Sequence, residues 1–319
     1  MANPNVTENG DLSDHGQSSA LIFLGTGCSS AVPNLMCLIQ PSDPPCHVCS
    51  QALSIPPERN PNYRSGIVCS RKVWWLISVL DVLCNTSLLI DYCRSDGNHS
   101  YILIDVGKTF REQVLRWFTA YKIPRVDSII LTHEHADAVL GLDDIRAVQP
   151  YSSTNDIDPT SIYLSQHAME SIATKFPYLV QKKYREGQEV RRVAQLDWRI
   201  IEDQCEKPFV ASGLGFVPLP VMHGEDYVCL GFLFGDKCRV AYISDVSRFP
   251  ASTEYCKLQE ERGIRRELAH ADAMDRYPTK FVISGKSKPL PLHKYGSQWG
   301  GWCSNGAMGL MGWVSGNAL

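Results

Sequence analysis

The chain has 319 residues and a formal net charge of -3, with 44% hydrophobic and 20% charged residues. This composition is ordinary for a globular protein and excludes a collagen-like or wholly disordered chain. The length suffices to bury a large core in one α/β unit, and the near-neutral charge gives no electrostatic sign of nucleic-acid binding, so we do not expect a nucleic-acid partner.

The N-terminal residues 1–19 are polar and acidic, without the basic segment and apolar core of a secretory signal. We expect them to be disordered. The longest apolar stretch is well short of the roughly 20 residues that a membrane span requires, so we predict no span. Twelve cysteines in such a chain indicate reduced thiols or metal ligands, and we therefore expect the protein in the cytoplasm.

Strand and helix patterns alternate along the next part of the chain. The first strand is "ALIFLG", and "NTSLLIDY" and "SYILIDVG" predict a hairpin. The later predicted elements are, in order, the helix "TFREQVLRWFTAYKI", the strand "VDSIILTH", the helix "DAVLGLDDIRAVQ", the strand "SIYLSQ", the helix "AMESIATKF", the strands "AQLDWRII" and "GFVPLPVMHG", and the hairpin of "CLGFLFGD" with "CRVAYISD". Such interleaving favours an α/β or α+β sandwich whose loops gather at one end.

Two segments fit this alternation poorly. Residues 65–83 interrupt a region where Arg64 would otherwise lead straight to Cys84, and residues 257–319 are rich in Gly, Ser and Trp without a helix or strand period. One interpretation is an ordinary inserted helix and a loose tail. The other is altered splicing or incorrect gene prediction, since local inconsistency argues against a native element. In that case Trp74 and Trp75 should pack peripherally. We therefore divide the chain into residues 1–19, a domain over 20–256 with this insertion, and the tail 257–319.

The segment "LTHEHADAVLG" places His133, His135 and Asp137 two residues apart at the end of a predicted strand. Imidazole nitrogens suit zinc, and a nearby carboxylate can coordinate a second ion or orient a water molecule. His223 and Asp245 each follow another apolar run, where either alone is as well explained as a loop residue or a helix cap. Together the five residues form a set that can hold one metal ion and bridge to another.

A second candidate metal site lies in "CLIQPSDPPCHVC", which contains Cys37, Cys46 and Cys49, with His47 inside the CxxC pair. This spacing alone is a weak signal, because buried unreactive cysteines are common. Both interpretations stay open on the spacing.

The ordered motifs "GTG", "HEHAD", "GLDDIR", "MHG" and "AYISD" resemble those of the metallo-β-lactamase superfamily. More narrowly they are similar to the PhnP-like phosphodiesterases, relatives of the tRNA 3'-end processing endonucleases. The resemblance covers Leu21 to Cys256 and is broken by the insertion. It implies an αββα sandwich with metals at one edge of the two sheets, and a C-terminal part that is incomplete or replaced in this chain.

On the matching positions, the resemblance implies that His133, His135 and His223 bind the first metal ion. It implies that Asp137 binds the second ion and that Asp245 bridges the two.

Asp105, at the end of "YILID", matches a position that supports the motif loop from behind the ligands. The resemblance also implies that Cys37, Cys46 and Cys49 bind a structural zinc ion. The fourth ligand of that zinc comes from the C-terminal part in the family, and His47 is the candidate replacement here.

The chain departs from the family pattern at the second metal. The family motif reads HxHxDH, but Ala138 stands at its sixth position. A late histidine ligand has no clear match, since His270 and His293 do not follow an apolar strand. We therefore expect one zinc ion, with manganese as an alternative, and a second ion that is weakly held or absent.

The function that these residues and the resemblance imply is a metal-dependent phosphodiesterase. A metal-bound hydroxide, oriented by Asp137 as the catalytic residue, would attack a small cyclic or nucleotide-like phosphodiester. The alternatives are a catalytically weak or inactive metal-binding isoform, supported by Ala138, and a hydrolase of another ester, thioester or lactam. The expected partner is this small-molecule substrate, and a homodimer is left open.

Overall fold

The computed structural model describes ten segments of the chain. They are residues 19–25, 33–54, 68–69, 74–75, 84–154, 156–180, 193–235, 240–253, 280–283 and 311–312. The predictions for residues 1–18, for most of the insertion and for most of the tail, including His270 and His293, lie outside these segments. The packing predicted for Trp74 and Trp75 also lies outside, because only their backbone is described.

Fourteen strands lie within the described segments. In chain order they are β1 (Ala20–Gly25), β2 (Val68–Cys69), β3 (Trp74–Trp75), β4 (Ser87–Cys93), β5 (His99–Ile104), β6 (Ser128–Ile130), β7 (Thr160–Leu164), β8 (Leu196–Ile200), β9 (Phe209–Ala211), β10 (Leu214–Met222), β11 (Val228–Phe234), β12 (Val240–Ile243), β13 (Lys280–Ile283) and β14 (Met311–Gly312). β4 pairs antiparallel with β5, and β11 with β12, so both predicted hairpins are confirmed.

The strands form two six-stranded sheets and one small ribbon. The first sheet has the order β1-β4-β5-β6-β7-β8, and its strands from β5 to β8 are parallel. The second sheet has the order β14-β13-β12-β11-β10-β9 and is antiparallel except where β13 runs parallel to β12. β2 and β3 pair with each other in the region of the predicted insertion. The described part of that insertion is therefore strand, and the inserted helix that we considered is not observed there.

The α-helices within the described segments are short. They are α1 (Leu35–Ile39), α2 (His47–Ser54), α3 (Phe110–Gln113), α4 (Thr119–Tyr121), α5 (Ala136–Val139), α6 (Gln166–Lys175) and α7 (Pro177–Val180). A π-helical segment, Val114–Phe118, connects α3 to α4, and a 3-10 helix, Leu142–Ala147, follows α5. Two helices that the sequence predicts as continuous are therefore interrupted. The π-helical segment allows Trp117 to donate from its indole nitrogen to the carbonyl oxygen of Leu24 at 2.9 Å.

The two sheets pack face to face through one apolar layer. Strands of both sheets contribute to it, and its members include Phe23, Ile90, Ile104, Phe216, Phe232 and Tyr242. The outer face of the first sheet packs against helical residues such as Phe110, Trp117, Ile145 and Ile172. Burial of this apolar surface is the main force that holds the layers together. The layering confirms the predicted fold class, a mixed α/β sandwich.

Within the described segments, no helix has the length and apolar character needed to cross a membrane.

The loop after β5 lies in direct backbone contact with the loop that carries "HEHAD". The amide of Val106 donates to the carbonyl oxygen of Ala138 at 2.7 Å, and the amide of Gly141 donates to the carbonyl oxygen of Val106 at 2.9 Å. A Cβ atom at Gly107 would lie 2.1 Å from the carbonyl oxygen of Asp137. Only glycine fits this approach without a backbone shift, and the two loops are thereby fixed together.

We expect Gly107→Ala to lower the free energy of unfolding by about 2 kcal/mol or more, because the new methyl group overlaps the Asp137 carbonyl. Urea denaturation of the variant measures this change. Gly215→Ala is the matched control, since a Cβ atom there meets nothing within 4 Å. Equal stability of the two variants would contradict the close approach of the loops.

Candidate metal centre

The five predicted ligands lie at one edge of the sandwich, where strands of both sheets end. His133, His135 and Asp137 follow β6, His223 directly follows β10, and Asp245 lies two residues beyond β12. β10 and β12 both run antiparallel to β11, so they point in the same direction and end at the same edge.

A backbone hydrogen bond joins the two sheets at this edge. The amide of Leu230, on β11, donates to the carbonyl oxygen of Thr132 at 2.9 Å. Thr132 directly precedes the first histidine of the motif. This bond therefore fixes the motif loop of the first sheet against the second sheet, which carries the other two predicted ligands.

The structure brings all five side chains together in two overlapping groups. One ligand atom each of His133, His135 and His223 lies within 4.8 Å of the others, and the same holds for His133, Asp137 and Asp245. His133 Nε2 lies 3.6 Å from Asp245 Oδ2 and 3.9 Å from Asp137 Oδ1. This spacing fits one or two metal ions between the groups, and His133 is the residue that both groups share.

A buried nitrogen atom of His133 indicates that this site suits a metal ion. His133 Nε2 is buried and has no hydrogen-bond partner within the described segments. On the other side of the ring, Nδ1 lies 2.8 Å from Thr132 Oγ1. The single Thr132 hydroxyl proton is directed at Asp105, so the Thr132 oxygen accepts a hydrogen bond from Nδ1–H and the lone pair stays on Nε2. A buried lone pair without a partner costs free energy, and a divalent cation is the partner that these surroundings suit.

The electrostatic environment also keeps this imidazole neutral. Burial, together with the neighbouring His135 and His223, lowers the pKa of His133 to about 3. Only the neutral form of an imidazole binds a metal. The residues present therefore fit a divalent metal ion.

Asp105 supports the motif loop from inside the protein, as the resemblance implied. Its carboxylate accepts a hydrogen bond from the backbone amide of Thr132 at 2.8 Å and one from the Thr132 hydroxyl, whose oxygen lies 3.0 and 2.9 Å from the two carboxylate oxygens. Burial raises the pKa of Asp105 well above its usual range, and the Thr132 donors oppose this shift. Asp105 adopts a positive φ of 62°, which turns the chain sharply at the end of β5.

Sequence reasoning missed a tyrosine that connects the two ligand loops. The Tyr227 ring stacks on the His135 ring, with centroids 5.0 Å apart and an interplanar angle of 14°. Its backbone carbonyl accepts a hydrogen bond from the His223 amide at 2.8 Å. Its hydroxyl donates to the carboxylate of Glu134, which lies between the two motif histidines. Tyr227 thus contacts the chain beside three predicted ligands.

The hydrogen bond between Tyr227 and Glu134 shifts the pKa of both groups. Burial raises the pKa of Tyr227, and the hydrogen bond to Glu134 raises it further. Burial also raises the pKa of Glu134, but the Tyr227 donor, a backbone donor and nearby imidazoles outweigh this, so that the pKa is lowered overall. At neutral pH the pair is a phenol that donates to a carboxylate. His167 lies on the other side of this carboxylate, with its Nε2 atom 3.6 Å from Glu134 Oε1.

An open pocket of about 360 Å³ leads to the predicted ligands. This volume is in the range of small-molecule sites. Its lining residues are His135, Ala136, Asp137, Leu140, Lys175, His223 and Asp245. Asp137 therefore lies where a water molecule or a small molecule in the pocket would contact it.

Ala138 does not face this pocket. It is buried among the apolar residues between the first sheet and its helices, including Val106 and Val139. Within the described ranges, no further histidine, cysteine or carboxylate joins the two groups of ligand atoms. The carboxylates of Asp137 and Asp245 are thus the predicted ligands available for a second ion.

The three predicted cysteine ligands also converge. The sulfur atoms of Cys37, Cys46 and Cys49 lie within 4.8 Å of one another. Burial raises the pKa of Cys49 to about 11, the backbone amide of Asn34 opposes this, and the two other cysteines add to it. His47 is not one of this group, and its Nε2 atom lies 3.1 Å from the Gln51 side-chain nitrogen.

We expect Tyr227→Phe to weaken zinc binding at the histidine site about tenfold, because removal of a group that orients a ligand typically costs 10- to 100-fold in metal affinity. Competition with a chromophoric chelator measures this change. Tyr178→Phe removes the hydroxyl of a tyrosine that is 47% exposed and lies outside the site, and it should leave the affinity unchanged. An unaltered zinc affinity in Tyr227→Phe would show that Tyr227 has no positioning role.

For the cysteine group, we expect alkylation to depend on metal. Thiolates that bind zinc react slowly, so iodoacetamide should modify Cys37, Cys46 and Cys49 only after a chelator is added. Mass spectrometry of the peptides identifies the modified residues. The partly exposed Cys93, which lies outside the group, is the internal control and should react with or without the chelator. Rapid reaction of all three cysteines in untreated protein would instead indicate ordinary free thiols.

The chain is similar to several known proteins. A family model for a β-lactamase superfamily domain matches residues 100–273. The crystal structure of a diphosphatase from the PhnP family is 26% identical, with a TM-score of 0.51, and the match covers 75% of this chain and 70% of that one. The structure of Zn(2+)-bound PqqB from Methylobacterium extorquens is 16% identical, with a TM-score of 0.47 and coverage of 74% and 69%.

A curated protein is also similar to this chain. It is an octanoyltransferase of Porphyromonas gingivalis (strain ATCC BAA-308 / W83), 27% identical over 253 residues, which are 78% of this chain. The match covers 40% of that protein, so the chain spans about two fifths of its relative's length. Since the family model covers more than half of the chain, and the ligand motifs and the PhnP-family diphosphatase agree with it, the chain belongs to the metallo-β-lactamase superfamily, in its PhnP-like branch.

Proposed function

We propose that this protein is a metal-dependent phosphodiesterase that hydrolyses a small cyclic or nucleotide-like phosphodiester. The observation that carries the proposal is the convergence of five ligand side chains around the buried, unpartnered Nε2 atom of His133, at the end of an open pocket. The similarity to a diphosphatase of the PhnP family supports phosphorus as the centre that is attacked.

His133, His135 and His223 would hold the first ion, for which zinc is the best match and manganese the alternative. Asp245 lies close enough to His133 for its carboxylate to bind the same ion. A bound divalent cation supplies positive charge to the phosphoryl oxygens and lowers the pKa of a water molecule beside it.

Asp137 is the residue to which we assign the catalytic role. Its carboxylate lines the pocket and lies 3.9 Å from His133 Nε2. From there it accepts a hydrogen bond from the attacking water and directs a lone pair of that water at phosphorus. The water forms a new phosphorus–oxygen bond and gives up one proton, while the ester bond to the leaving oxygen breaks and that oxygen takes up one proton, so the number of protons is unchanged.

Ala138 favours a second candidate, a metal-binding protein with weak or no catalysis. Its side chain supplies no ligand and lies in the core, so a second ion would rest on Asp137 and Asp245. A hydrolase of another ester or thioester would use the same arrangement, and the name of the octanoyltransferase relative makes acyl substrates worth including in a substrate screen.

We expect His135→Ala to remove one equivalent of zinc and to abolish hydrolysis of bis(p-nitrophenyl) phosphate and of a 2',3'-cyclic nucleotide. Loss of one of three imidazoles leaves too few ligands for tight binding. The difference in zinc content between wild type and variant counts the histidine-site ion, whatever the cysteine group holds. His99→Gln, in the hairpin of the first sheet, is the control and should retain metal and activity.

Two results would separate the candidates. Zinc that depends on His135, without turnover of any phosphodiester, would favour the metal-binding alternative. Unchanged zinc content in His135→Ala would contradict the ligand assignment itself.

A further inference from the structure

A phosphodiester presents this site with an unbalanced charge. The carboxylates of Asp137 and Asp245 together carry two negative charges, which offset the charge of one divalent cation. The substrate brings another negative charge, and attack at phosphorus places more on its oxygens. In a site with one ion, a further cationic group at the pocket would favour binding of this negative charge.

Lys175 meets this need by position. It is the last residue of α6 and lines the same pocket as Asp137, His223 and Asp245. Its ammonium group donates to the carbonyl oxygen of Glu134 at 2.6 Å. A carbonyl oxygen fixes the ammonium group without neutralising it, and two of its N–H bonds stay available.

The surroundings leave this charge unpaired but well placed. Within the described part of the chain, no carboxylate lies within ion-pair distance of Lys175. Glu134 lies between His133 and His135 in the chain. The hydrogen bond to its carbonyl oxygen therefore holds the ammonium group close to these predicted ligands. The helix itself is fixed by the Ser165 side chain, which accepts a hydrogen bond from the amide of Ala168 at the other end.

His167, on the same helix, is a poorer candidate for this role. It does not line the pocket, and its side chain is 70% exposed and directed at the Glu134 carboxylate. Among the described residues that line the pocket, Lys175 is therefore the cationic side chain to which an anion has access.

We propose that Lys175 forms an anion subsite that binds a phosphoryl oxygen of the substrate beside the metal. The substrate role rests on the phosphodiesterase function proposed above. The subsite takes over charge compensation that a second, fully liganded ion would otherwise provide, and it selects substrates with a negative charge at the reacting centre.

The test is calorimetric titration of inorganic phosphate into the zinc-loaded full chain. Lys175→Gln keeps a donor for the Glu134 carbonyl but removes the charge, and we expect it to weaken phosphate binding about tenfold or more. Lys175→Arg should stay within a few-fold of wild type. Lys207→Gln is the matched control, because Lys207 is exposed and pairs with Glu202 at 3.6 Å, away from the pocket. Zinc content should be equal in all four proteins.

A second measurement uses substrate charge. Lys175→Gln should lower kcat/KM for bis(p-nitrophenyl) phosphate but not for p-nitrophenyl acetate, which is uncharged. Phosphate affinity equal to wild type in Lys175→Gln, or absence of phosphate binding in wild type, would overturn the subsite. Equal loss of zinc in the Gln and Arg variants would overturn it as well and assign Lys175 to loop positioning. Lysine-dependent phosphate binding without phosphodiester turnover would instead retain the subsite and reject the proposed activity.

Discussion

The Nε2 atom of His133 is buried and has no hydrogen-bond partner among the described residues, so a cation beside it would stabilise its lone pair. The surrounding structure fixes that lone pair in place. Asp105 accepts a hydrogen bond from the Thr132 hydroxyl, and the Thr132 oxygen in turn accepts a hydrogen bond from His133 Nδ1. The tautomer of the imidazole is therefore set by a carboxylate two contacts away, which is the usual way in which metal-binding histidines are oriented.

The sandwich explains why distant parts of the sequence meet at this nitrogen. β6, β10 and β12 end at one edge, and each is followed within a few residues by a predicted ligand. The bond between Leu230 and Thr132 closes that edge across the two sheets. The close contact between Gly107 and the backbone carbonyl oxygen of Asp137 also fixes the motif loop. The positions of the predicted ligands thus depend on backbone contacts in which their own side chains take no part. A substitution at Gly107 would move the backbone of Asp137 and thereby alter the site.

Sequence reasoning predicted five residues that converge in the fold, because polar residues directly after apolar strands have few structural explanations. It also predicted the paired strands, because short apolar runs that alternate with turn residues indicate strands. It missed Tyr227, because the value of that residue lies in contacts with His135 and Glu134 that only the folded chain creates. It also missed β13, since Lys280–Ile283 is a short apolar run within a segment that lacks periodicity. The breaks in the predicted helices likewise arise from tertiary contacts, such as that of Trp117 with Leu24.

Ala138 connects the architecture of the site with its chemistry. The carbonyl oxygen of Ala138 accepts from Val106, and its side chain fills space in the core of the first sheet. Alanine at this position therefore serves packing, while the family pattern uses the position for a ligand. A chain with this substitution holds fewer donors for a second ion, and its catalysis would have to draw positive charge from elsewhere. Lys175 is attached through Glu134 to the same loop, so one segment of backbone positions both the ligands of the metal and the charge proposed to assist it.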